Sequence, residues 1–107
     1  MPIKRRDKGG KKSKTCRLAI EGDMTIYTAQ ELKDELVQYL GKPWNLHIDL
    51  TDVTELDTSG AQLLLLARHE TDHMEKELEV TQPGGAAAEA LATLNIADRL
   101  NLQAPAA

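Results

Sequence analysis

No phenylalanine occurs among the 107 residues, and Tyr27, Tyr39 and Trp44 are the whole aromatic complement. A core organised around stacked rings is excluded, so the interior has to be filled by Leu, Ile, Val and Ala, which pack just as densely. Cys16 is the one cysteine. It rules out an internal disulfide, fits a reducing compartment, and reads as a small buried strand residue. No run approaches the roughly 20 apolar residues of a membrane-spanning helix, and the basic start is not followed by the apolar segment of a signal peptide. These absences lead us to expect a cytoplasmic protein. The length suits one domain with a modest core rather than two.

Charge is distributed unevenly. Residues 1–17 hold eight of the thirteen basic residues and one of the seventeen acidic ones, a net of +7, which leaves −11 for the remainder against −4 for the chain. The stretch from Lys4 to Lys14 has too little apolar area to bury, so residues 1–14 are expected to be a disordered basic arm able to touch anionic surfaces without specific recognition of nucleic acid. Gly9-Gly10-Lys11-Lys12-Ser13 lacks the spacing and the preceding strand of a phosphate-binding loop. Residues 15–103 then form the domain, and 104–107 a short tail.

Thr15 to Ile20 reads as a strand, Gly22-Asp23 as a turn and Met24 to Tyr27 as a short second strand. Thr28-Ala29-Gln30-Glu31 has the form of a capping box, and Leu32, Leu36, Tyr39 and Leu40 follow at helical spacing until Gly41 and Pro43. Trp44 to Leu50 reads as a third strand. Strands alternating with helices predict a mixed α/β sheet covered by helices.

Residues 49–60 carry the most information, because they lead from an apolar strand into a helix whose first turn offers a serine. With Ser59 as N-cap, Gln62 falls at the third helical position and completes a second capping box. The same hydroxyl would suit a phosphate, which adds nearly two negative charges at the positive end of the helix dipole. With Glu55 and Asp57 close by, that charge would repel a partner docking on this acidic loop. On the wheel of the following helix Leu63, Leu64, Ala67, Thr71 and Met74 share one face, while Gln62, His69 and His73 fall opposite; Leu65 and Leu66 flank the polar face. If partly exposed, they would border Ser59 with an apolar patch suited to a partner.

His69-Glu70-Thr71-Asp72-His73 fits the HExxH pattern of zinc hydrolases, two histidines one turn apart with a glutamate between. Both histidines lie on the solvent side of the wheel rather than in a cleft, and a third ligand would have to come from Glu89 or the run Glu75, Glu77, Glu79. We read the motif as a chance match, with no metal site. His47 alternates with Asp49 on the strand face opposite Leu46, Ile48 and Leu50, and nothing places it as a base for Ser59, so a hydrolase triad has no support. No cofactor is implied.

The chain resembles the STAS domain family, the fold of bacterial anti-sigma factor antagonists. Leu46-His47-Ile48-Asp49-Leu50 matches the family's strand, Asp57-Thr58-Ser59-Gly60 its turn, and Leu63-Leu64-Leu65-Leu66-Ala67 its helix. Leu78-Glu79-Val80, Pro83-Gly84-Gly85 and Leu94-Asn95-Ile96-Ala97-Asp98 match the later strand, loop and final helices. The resemblance implies a single domain with a mixed sheet of four to five strands packed against about four helices. It implies a non-enzymatic module phosphorylated at Ser59, with Thr58 as the neighbouring candidate. Asp57, Thr58, Ser59, Gly60, Gln62, Leu65 and Leu66 would meet the partner, an anti-sigma factor with serine-kinase activity opposed by a serine phosphatase. Such domains also serve beside the ATPase of an ABC lipid transporter, the alternative partner.

Overall fold

The computed structural model describes residues 3–5, 15–81, 83–95, 100 and 102–103. Three parallel strands make its centre: β2 (Thr15–Ile20), β4 (Asn45–Asp49) and β6 (Leu78–Thr81). Side chains alternate across a strand, and the register stacks like with like. Cys16, Leu46 and Leu78 form one buried row and Leu18, Ile48 and Val80 the next. Arg17, His47 and Glu79 make a polar row on the opposite face. Two further strands complete the sheet: β1 (Ile3–Arg5), antiparallel to β2, and β7 (Leu102–Gln103), parallel to β6, giving the order β1-β2-β4-β6-β7.

A second, two-stranded sheet pairs β3 (Gly22–Met24) with β5 (Val53–Leu56) in parallel. Only Glu21 separates β2 from β3. Gly22, at φ +80°, lets the chain leave one sheet for the other there. Three helices are described: α1 (Ala29–Leu40), α2 (Thr58–His73) and α3 (Gly85–Leu94), with Leu100 helical and buried as well. They carry the crossovers that parallel neighbours require. α1 buries Leu32, Leu36 and Leu40, and α2 buries Leu63, Leu64, Ala67 and Thr71. The buried hydrophobic residues are Leu, Ile, Val, Met, Ala and the Cys16 thiol, the aliphatic interior that the composition requires.

Five local expectations are corrected. The arm 1–14 is not wholly irregular, because Ile3 is buried against β2 and Ile3–Arg5 pairs with it; residues 6–14 and 104–107 lie outside the described residues. The expected turn at Gly22-Asp23 and strand over 24–27 exchange places, since Gly22–Met24 are β3 and residues 25–28 the turn, β5 offering no partner beyond Leu56. Between β4 and α2 lies a further strand, β5, after a turn at Thr51-Asp52. The Thr28 capping box is not made, because the Thr28 hydroxyl turns back into the preceding loop. Met74 follows the end of α2 and is exposed rather than inward. Of the expected final helical segment, residues 96–98 lie outside the described residues.

Candidate functional site

α2 begins where β5 ends, with Asp57 alone between Leu56 and Thr58. The Asp57 carboxylate is the N-cap. Its Oδ1 accepts from the Ser59 N–H at 2.8 Å and the Gly60 N–H at 3.2 Å, satisfying two donors that a helix start leaves without partners. Its Oδ2 accepts from the Ile26 N–H at 3.0 Å. One side chain thus ties the first turn of α2 to the loop between β3 and α1. The backbone reinforces the junction, since the Asp57 N–H donates to the Met24 carbonyl at 3.2 Å. A Cβ on Gly60 would lie 2.2 Å from that same carbonyl oxygen, so only glycine lets α2 start this close to β3.

Ser59 is therefore not the cap; it is the second residue of the helix and a recipient of capping. Asp57 wins because the strand ends one residue before it and leaves its backbone extended, the conformation from which a capping carboxylate reaches forward. The Ser59 hydroxyl, half-buried, makes no hydrogen bond to any described residue. Thr58 and Gln62 are exposed.

The loop held by Asp57 carries two residues that the sequence did not mark as functional. Ile26 is 68% exposed and Tyr27 94%, large apolar surface on a turn that is locked. The Thr28 hydroxyl donates to the Asp23 carbonyl at 2.9 Å and accepts from the Thr25 N–H at 3.1 Å, and the Thr28 N–H donates to the Thr25 carbonyl at 3.0 Å. The clue in the sequence was an Ile-Tyr pair directly before a helix start, which also reads as strand.

On its other side Ser59 opens onto a groove between α1 and α2. Two adjoining hollows of about 250 and 340 Å³ share Lys33 and Leu66. Ser59 and Gln62 lie at one end, and Val37, Glu70 and Met74 at the other. Leu65 and Leu66 are both partly buried against the core, but only Leu66 reaches the groove. Acidic side chains gather on the loop side of the helix start, where Asp23 and Glu55 are register partners on β3 and β5 and both are exposed.

The other chemical candidates lie elsewhere. His47 binds Thr81 Oγ1 through Nε2 at 2.7 Å, and its Nδ1 lies 3.5 Å from Glu79, so both ring nitrogens are engaged on the polar sheet face and neither serves Ser59. His69 and His73 are exposed, their rings nearly parallel with centroids 6.5 Å apart. Glu70 faces the groove instead. Among the described residues no group of three His, Cys, Asp or Glu side chains could hold a metal ion, and no helix is long and apolar enough to cross a membrane.

A family model described as "Mlab, STAS domain" matches residues 9–103. The structure of the anti-sigma factor antagonist SpoIIAA in its unphosphorylated form matches with a TM-score of 0.75 at 8% identity, over 97% of this chain and 88% of that one. The structure of an anti-sigma factor antagonist from Mycobacterium paratuberculosis matches with a TM-score of 0.77 at 20% identity, over 94% of this chain and 84% of that one. At such identities the likeness is one of fold. No curated protein matches the chain.

Proposed function

The chain belongs to the STAS domain family, and from that premise we propose that it is a phosphorylation-switched interaction module, an anti-sigma factor antagonist rather than an enzyme. In this reading the unmodified domain binds an anti-sigma factor with serine-kinase activity through Ile26, Tyr27, Ser59 and Gln62. The kinase transfers the terminal phosphoryl group of a nucleoside triphosphate to Ser59 Oγ, the hydroxyl proton is lost, and a nucleoside diphosphate leaves. The phosphoserine adds nearly two negative charges where Asp57 already stands, and the complex separates. A serine phosphatase restores the binding form.

The observation that carries this reading is the Ser59 hydroxyl, which has no hydrogen-bond partner among the described residues and sits on a rim held rigid by Asp57 beside exposed Ile26 and Tyr27. A serine needed only as a cap would have its oxygen engaged. Thr58 is the second candidate for modification, exposed at the first helical position.

A second reading is favoured by the family model's own description, which names Mlab rather than an anti-sigma factor antagonist. In that case the same rim docks constitutively on the ATPase of an ABC lipid transporter. Partner capture from the native host separates the two. A histidine-kinase-like ATPase that binds the Ser59→Ala chain as well as the wild type, and the Ser59→Asp chain at least tenfold more weakly, supports the switch. Equal affinity for all three, or recovery of an ABC-type ATPase, rejects it. Mass spectrometry of the protein from its host, before and after phosphatase treatment, reads the modification itself.

A further inference from the structure

Resting on the phospho-switch reading, we propose that Lys33 of α1 is the seat of the phosphate carried by Ser59, drawing the modified side chain across the groove between α1 and α2. Two independent features point there. The first is geometric: Lys33 and Ser59 line the same hollow of about 250 Å³, from opposite helices. The second is electrostatic: Lys33 makes no ion pair or hydrogen bond to any described residue and is the one cation among that hollow's lining residues.

The alternatives for a phosphate at this position are poor. The Ser59 and Gly60 N–H groups, the donors that a helix start offers an anion, are already taken by Asp57 Oδ1. The loop side carries Asp57 itself, with Asp23 and Glu55 on the adjoining strands. A dianion repelled from that side and denied the backbone donors is left with the groove, where the Lys33 ammonium lines the hollow next to Ser59 and the carboxylate of Glu70 lines only the adjoining one. Phosphorylation then does two things at once. It adds charge to the rim, and it covers the apolar floor at Leu63 and Leu66 that a partner side chain would otherwise enter.

The test uses the full chain with phosphoserine installed at position 59 during synthesis, so that no kinase is needed, and follows its second ionisation by ³¹P nuclear magnetic resonance. A neighbouring cation favours the dianion, so the wild-type phosphate should titrate about half a pH unit lower than in the Lys33→Gln chain, the size expected of a solvent-accessible ion pair. Lys33→Arg, which keeps the charge, should retain the low value. Lys33 is exposed, and an unchanged amide spectrum in each variant shows that the fold is kept. Coincident curves for wild type and Lys33→Gln overturn the seat. They leave the phospho-switch reading intact, because that is decided by the mass of the protein from its native host.

Discussion

Asp57 serves two segments of chain with its two oxygens, which separates the consequences of two substitutions. Asparagine keeps an acceptor for the helix start but sets an NH₂ group against the Ile26 N–H. For Asp57→Asn we expect α2 to persist, and the Ile26 amide to exchange with solvent about tenfold faster, the loss of one hydrogen bond. Asp57→Ala removes the cap as well and should cost about 1–2 kcal/mol of global stability in urea titration. Unchanged exchange at Ile26 in both chains would refute the tie between loop and helix. The sequence made the strand-turn-helix at Asp57-Thr58-Ser59-Gly60 readable, yet not which side chain caps it. Asp and Ser are equally good caps, and the choice was made by where β5 ends and by the contact of Gly60 with Met24, neither of which is a local property.

Among the elements, α1 has no basic residue in its last turn to meet its exposed carbonyls, and the cation comes from elsewhere. Lys76, just beyond α2, donates through Nζ to the Leu40 carbonyl at 2.8 Å and the Lys42 carbonyl at 2.7 Å. Desolvation lowers the Lys76 pKa from 10.5, against a smaller upward pull from Glu70. The unfolded chain therefore holds that proton more tightly, and the contribution of Lys76 to stability rises with pH between the lowered folded value and 10.5. A neutral amine still offers two hydrogens for two carbonyls. Lys76→Met should cost about 1–2 kcal/mol near neutrality and should lack that rise, both read from urea midpoints across the alkaline range; a variant curve parallel to the wild type would contradict the assignment. β2, β4 and α1 were legible from the residues because burial on one face imposes a pattern, whereas β6 was legible only through the family resemblance at Leu78-Glu79-Val80. β5 was not, since only Val53 and Leu56 of its four residues are buried. The loop at 25–28 escaped because Ile26 and Tyr27 look like strand residues until their pairing partner is seen to end.

For the molecule as a whole, the least legible part was the first strand. A segment dominated by lysine and arginine reads as solvated, but an edge strand of three residues needs only one inward side chain, and Ile3 supplies it at 5% exposure. β1 also covers one edge of the central strands, with Lys4 reaching Glu21 at 3.4 Å. Ile3→Ala should lower stability by about 2 kcal/mol and speed amide exchange along β2; stability equal to that of the wild type would show β1 to be dispensable. The order β1-β2-β4-β6-β7 has one more consequence, and it concerns time. The spatial order of these strands is their order in the sequence, so each one joins the free edge left by the one before it. A chain synthesised from its N-terminus can lay the sheet down as it emerges, with a single growing edge, and no finished pair has to open to admit a later strand.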